Sequence, residues 1–172
     1  MITLFCKKFN CKNEKEYENQ YSTLINNLNI PLLECSCKQI GTLSIHAYYD
    51  RCIKTSFGKV KLRILRLICS SCKKTHALLP SFIVPYSQIR IEDQIDIINT
   101  GTCILFEYGQ IDINTIKRIK SNYLLYFKAR LYSFNINLYD DINELTSKCI
   151  YAFRKQFMQI HRGLILYNSL TT

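Results

Sequence analysis

Two close cysteine pairs flank a hairpin pattern, one segment carries a cation at every second position, and four stretches show helical periodicity. Together these features predict an α+β chain. The expected architecture is a small antiparallel zinc-ribbon hairpin module, preceded by an N-terminal helix and followed by an all-helical region. The expected divisions are an N-terminal helical segment at 1–31, the ribbon at 32–88 and a helical domain at 89–172.

The first helix is read over residues 14–28, where Tyr17, Tyr21, Leu24, Ile25 and Leu28 recur at helical spacing. Asn29 and Pro31 end it. The apolar stripe is a core or docking face. Cys6 and Cys11 precede the helix and have no second pair to join, so they read as bystanders.

The cysteine pairs carry the chemistry. Cys69-Ser-Ser-Cys72 has the two-residue spacer of a thiolate turn, whereas Cys35-Ser-Cys37 is one residue shorter. Two such turns brought together by a hairpin supply four thiolates to one tetrahedral Zn²⁺. His46, Cys52 and His76 stay open as substitutes for a member of the shorter pair. The competing reading is a set of buried free cysteines, because cysteine is among the most buried residue types.

Between the pairs, Gly41 permits a turn and Leu43–Arg51 reads as a strand. Thr55–Gly58 supplies turn chemistry. In the return strand, Lys59, Lys61 and Arg63 alternate with Val60, Leu62 and Ile64, which puts three cations on one face and three aliphatics on the other. The phase slips near Leu65, which predicts a bulge there. Arg66 precedes the second pair, and Lys73 and Lys74 follow it. Thr75–Leu79 is a third short strand ended by Pro80. Residues 81–86 are extended, with Val84 held away from helical geometry by Pro85.

The segments HAYYDR and LRLICSSCKKTHALLPSFIVPYSQI resemble a bacterial family of transposase-associated zinc ribbons of unknown function, and QFMQIHRG at Gln156–Gly163 resembles that family's tail. The resemblance implies that Cys35, Cys37, Cys69 and Cys72 are the metal ligands and that His76 belongs to the strand after the second turn. It also implies a link to mobile elements, and through that link DNA binding.

Past Tyr86, Ile91–Asn99 reads as a short helix stopped by Gly101. Cys103–Tyr108 is ambiguous between helix and strand. A longer basic helix over 115–131, capped by Asp112 or Asn114, carries Lys117, Arg118, Lys120, Lys128 and Arg130 off its apolar stripe. A helix-turn-helix-like part is therefore considered for 91–131, although the 101–113 connection is long for that motif. A last helix over Ile142–His161 is capped by Asp140/Asp141 and followed by Gly163.

The formal net charge is +10, and it is unevenly placed. Residues 31–90 hold ten Lys/Arg against Glu34 and Asp50. A concentrated cationic field suits a polyanion. The candidate nucleic-acid contacts are Lys59, Lys61, Arg63, Arg66, Lys73 and Lys74. No apolar stretch approaches the ~20 residues a membrane helix needs, and no secretory leader is evident. Nine cysteines in such a chain argue for thiols and metal, in the cytoplasm, rather than disulfides. The carboxylates after residue 90 mostly sit at helix starts, where capping explains them, and do not form a catalytic cluster, so an enzyme is not expected. The resulting expectation is a non-catalytic, zinc-binding DNA-binding protein. A protein-interaction adaptor for a mobile-element protein and an RNA-binding ribbon are the alternatives.

Overall fold

Alternation of period two over Lys59–Ile64 builds the central arm of a four-stranded sheet. The computed structural model describes residues 2–4, 6, 11–124, 141, 144 and 145. The chain divides into two compact units, Met1–Ile83 and Val84–Thr172. In the first unit the strands are β1 (Ile2–Leu4), β2 (Leu43–Thr55), β3 (Gly58–Cys69) and β4 (Thr75–Pro80), ordered β1-β4-β3-β2 across the sheet. Strands β2 and β3 form a long antiparallel hairpin, and β4 pairs antiparallel with β3 over Arg66–Ile68. Strand β1 pairs parallel with β4.

The hairpin runs further than the sequence pattern suggests, because β2 continues through Ile53 and Thr55, both buried. Only Ser56 and Phe57 lie between the strands, and Gly58 takes φ 126°, open to glycine at no steric cost. Val60, Leu62 and Ile64 are buried on one face, whereas Leu65, Leu67 and Cys69 are buried on the other. The slip near Leu65 is therefore real, but the irregularity lies on the facing strand. The register shifts between Ile45 and Ala47, leaving His46 as the extra residue. Strand β3 must stay regular to pair on both edges, while the outer strand β2 can accept a bulge.

The helix α1 (Glu14–Asn26) is capped by Asn13, whose side chain accepts the Glu16 N–H. Its buried residues Tyr17 and Tyr21 deal with an exposed-edge problem. Beyond Arg66 toward the hairpin tip, β4 no longer pairs with β3. There Glu14 Oε1 accepts the Lys61 N–H at 2.7 Å, and the Tyr21 hydroxyl accepts the Leu65 N–H at 2.9 Å. The same hydroxyl donates to the Leu78 carbonyl at 3.0 Å. Tyr21 thus sits in the fork where β4 leaves β3, and α1 covers an edge that would otherwise be a pairing template. Burial pushes the Tyr21 phenol up to about 12. Tyr17 packs its ring against Phe57 and Phe82.

One core of this unit gathers Leu4, Cys35, Leu43, Leu65, Leu67, Cys69 and Leu78. Ile25 of α1, Ile30 of the short 3₁₀ turn Ile30–Leu32, and Leu28 and Leu33 next to these elements pack against it.

In the second unit the described helices are α2 (Ile91–Thr100), α3 (Ile104–Glu107) and α4 (Ile113–Asn122). Gly101 stops α2 in the left-handed region at φ 89°. The segment ambiguous by sequence contains the single turn α3. Ile89, Ile97, Cys103, Leu105, Ile111, Ile116 and Ile119 form the core. Arg90 grips buried Asp93 with two nitrogens, at 2.8 and 3.1 Å. Asp112 caps α4 by accepting the Thr115 N–H at 2.7 Å. The rest of the helix expected to residue 131 lies outside the described residues beyond 124. So does the helix expected over Ile142–His161, apart from Glu144 and Leu145.

Candidate metal centre

The two cysteine turns are variants of one hydrogen-bonded loop. In the first, Lys38 donates its N–H to the Cys35 carbonyl at 2.9 Å, and Cys35 donates to the Gln39 carbonyl at 2.9 Å. In the second, Lys73 donates to the Cys69 carbonyl and Cys69 to the Lys74 carbonyl, both at 3.0 Å. Each bond in the second turn spans one more residue, so the missing spacer residue of Cys35-Ser-Cys37 is absorbed inside the loop. Both turns end on a lysine in the left-handed region, Lys38 at φ 68° and Lys73 at φ 59°. The turns are tied together by the Ser70 N–H on the Thr42 carbonyl at 2.8 Å and by the pairing of Leu43 with Cys69.

This construction brings four sulfurs together. The ligand atoms of Cys35, Cys37, Cys69 and Cys72 all lie within 4.8 Å of one another. Cys35 Sγ is 3.5 Å from Cys72 Sγ, and Cys37 Sγ is 3.8 Å from Cys69 Sγ. A tetrahedral ion with metal–sulfur bonds of ~2.3 Å would separate its sulfurs by ~3.8 Å. A disulfide would need ~2.05 Å. The four side chains therefore fit a shared ion, and such a group could hold one. Among the described residues no other cluster of this kind occurs, and His46 and Cys52 stand outside it.

The sulfurs are not equivalent. Cys35 and Cys69 are buried in the core, and Cys37 and Cys72 are half-buried. Cys69 Sγ accepts from the Cys72 N–H at 3.5 Å and lies 3.2 Å from Thr42 Oγ1. The Cys72 N–H and then the Thr42 hydroxyl hold its thiol down at about 6. Cys35 is also lowered, chiefly by the backbone N–H of Cys37. Cys37 goes the other way, up to about 11: the Gln39 N–H lowers it, but the Cys35 thiol and burial outweigh that effect. Thiols this crowded cannot all ionise unless a cation shares them.

His76 is a partner to the cluster, not a member of it. It is buried on β4 with Nε2 3.2 Å from Cys35 Sγ. Burial first, then nearby positive charge including Lys74, lowers its pKa. A neutral imidazole with its proton on Nε2 donates N–H···S to Cys35, the kind of contact that orients a metal ligand. The sequence leaves His76 open as a ligand and does not disclose this role, nor that of Thr42. A buried histidine one residue into the strand after a cysteine turn is the signal that points to it.

The cations divide between two faces. Lys59, Lys61 and Arg63 are exposed on one side of the hairpin. Lys54, cross-strand from Lys59, joins them, and the alternation of β3 alone does not single it out. Lys61 meets Asp50 at 3.8 Å and Arg63 stacks over Tyr48 at 5.1 Å, both on exposed surface. Arg66 lies an odd number of residues from Arg63, so it points to the opposite face, where it stacks over Tyr49 at 4.8 Å. Lys73 and Lys74 are exposed at the second cysteine turn.

Taken together, fold and site define an α+β protein with a four-cysteine candidate metal centre at the base of a basic hairpin. Residues 34–119 match the family described as a domain of unknown function (DUF6431), and the chain belongs to that family. No curated protein and no solved structure matches the chain. Among the described residues no helix is long and apolar enough to cross a membrane.

Proposed function

We propose that this chain is a non-catalytic nucleic-acid-binding protein in which Cys35, Cys37, Cys69 and Cys72 close a zinc ribbon and the hairpin's basic face rests on DNA phosphates. Soft thiolates in tetrahedral array favour Zn²⁺. Four protein ligands leave no open position for an activated water, so the ion's role is structural. Its binding contributes on the order of 10 kcal/mol to folding. A four-thiolate zinc centre carries a net charge of about −2, which Lys38, Lys73 and Lys74 stand beside.

The observation that carries this reading is that the strand ending in Cys69, one of the four clustered cysteines, presents Lys59, Lys61 and Arg63 in a row on one exposed face. Residues two apart on a strand are separated by ~6.7 Å, so the three cations form a row that can follow a phosphate backbone. Contacts of this kind give salt-sensitive affinity with little sequence preference. Arg66 belongs to the other face and is left out of the row. The likeness to transposase-associated ribbons supports a recognition role beside mobile DNA.

Two measurements test the proposal. Mass spectrometry of the purified chain should find one zinc per chain, absent from Cys35→Ser and Cys69→Ser. Fluorescence anisotropy on mixed-sequence duplex DNA should show Lys59→Ala/Lys61→Ala/Arg63→Ala weakening binding and flattening the salt slope by ~0.9 for each phosphate no longer neutralised. A metal-free, well-folded wild type removes the zinc ribbon, and unchanged binding by the triple variant removes the strand face.

A further inference from the structure

The second unit carries a surface that the hairpin reading does not use. Helix α4 buries Ile116 and Ile119 and exposes Ile113, Asn114, Lys117, Arg118 and Ser121. At 100° per residue these five fall on one continuous face of about 140°. The face contains two cations, an amide, a hydroxyl and an exposed isoleucine, and no carboxylate. A solvated helix face of ordinary make-up mixes both signs of charge, whereas the only charges on this one are Lys117 and Arg118.

The framing of that helix is the second observation. Leu105 on α3, Ile111 in the connection, and Ile116 and Ile119 on α4 enter one core together. Between α3 and α4 the chain turns at Gly109, with φ 66°. The turn is held by Gly109 N–H on the Phe106 carbonyl at 3.0 Å and Gln110 N–H on the Leu105 carbonyl at 2.8 Å. Helix α2 packs on α4 behind. A short helix, a glycine turn and a longer helix whose buried stripe leaves its far side bare is the arrangement by which helix-turn-helix proteins carry a reading helix. The sequence pattern couples α2 to the basic helix across a long connection. The structure places α3 inside that connection and makes it the immediate partner.

We infer that α4 is a major-groove reading helix for duplex DNA, with Asn114 and Arg118 toward base edges and Lys117, to one side of them on the face, toward a phosphate. The chemistry matches the groove. Asn is the bidentate partner of adenine and Arg of guanine. Ten residues give a helix of ~15 Å, which fits a groove ~12 Å wide. The first turn is the part that reaches bases in such proteins, and there the Asp112 carboxylate is engaged with the Thr115 N–H. This extends the nucleic-acid reading to a second surface, and it stands on α4 whether or not the hairpin touches DNA.

The experiment is selection of random duplex DNA by the full zinc-loaded chain, run beside Asn114→Ala, Arg118→Ala, Arg118→Lys and the hairpin triple variant, with thermal melts to show each is folded. Wild type should enrich a short motif. Asn114→Ala and Arg118→Ala should bind that motif ~5- to 150-fold more weakly and lose preference at one position each. Arg118→Lys should lose the same preference while keeping the salt slope, because charge remains and the planar fork does not. The hairpin triple variant should bind all sequences more weakly and keep the motif. If that triple variant binds as wild type while the α4 variants fail, the helix inference stands and the hairpin reading falls. Enrichment of nothing by a wild type that binds DNA overturns the helix inference and leaves the hairpin. A motif unchanged in the α4 variants overturns it as well, as does capture of single-stranded RNA in preference to duplex.

Discussion

Replacing Tyr21 by Phe removes a single oxygen and should open the seam between β3 and β4. That hydroxyl accepts the Leu65 N–H at 2.9 Å and donates to the Leu78 carbonyl at 3.0 Å. Both backbone groups belong to fully buried residues, and Tyr21 itself is 4% exposed. Phenylalanine keeps the ring and its packing, so the cost is polar. A buried backbone group left without a partner costs ~1–3 kcal/mol. Two such groups, with some relaxation, give an expected decrease of about 2–4 kcal/mol in the stability of the first unit. Because the chain holds two compact units, amide exchange at Leu65 reads this better than a global melt. The Leu65 amide should exchange roughly 30- to 800-fold faster in the variant, since ~1.4 kcal/mol is a tenfold change. A second readout follows from the phenol. Its folded pKa, about 12, lies above the ordinary 10.0, so the stability it brings is fully present below pH 10 and is lost as pH rises through 12. That alkaline transition should vanish in Tyr21→Phe. A change in Leu65 exchange of less than threefold would refute the assignment of Tyr21 as the bridge between the strands.

Three further outcomes are expected. With zinc held by the four sulfurs as proposed, His76→Phe should release it to a chelator about 10- to 100-fold more readily, because Cys35 loses its contact with the imidazole Nε2; the readout is competition with a chromogenic zinc chelator. Gly101→Ala should lower the melting temperature of the second unit, at a cost of about 1 kcal/mol. Its φ of 89° suits glycine, and the new Cβ would meet Lys120 Nζ at 3.0 Å, a contact the flexible lysine can relieve. Lys73→Gly should stabilise the first unit by ~1 kcal/mol by relieving the left-handed backbone, as measured by denaturant midpoint.

The sequence is most readable where one physical constraint acts alone. Lys59–Ile64 is a strand with one wet face, and its alternation says so. Cys69 and Cys72 share one turn, and their two-residue spacing says that. Gly101 and Asp112 mark helix ends by local backbone chemistry. What escapes is whatever depends on a distant partner. Strand β1 is three residues whose regular feature is pairing with Leu78–Pro80. The phase slip at Leu65 is visible, but its bulge sits on the other strand at His46, since the slip belongs to the pair and not to either sequence. Tyr21 scores as one more apolar position on a helix stripe, and nothing local reveals that its hydroxyl serves two strands. His76 and Thr42 reach the sulfurs only once the two turns have met. The face to which Arg66 points follows from counting parity along β3, yet the row of cations invites grouping it with Arg63.

The parallel pairing of Ile2–Leu4 with Leu78–Pro80 also dictates an order of events. A ribosome makes the first strand long before its neighbour exists, and the intervening hairpin and both sulfur-bearing loops must emerge in the meantime. That segment can take up its pairing only after Leu78–Pro80 has been made, so a sequence-distant contact of high loop-closure cost fixes it in place. Cargo fused just ahead of residue 2 would therefore weigh on that long-range pairing more than on the β2–β3 hairpin, whose two strands are neighbours in the chain.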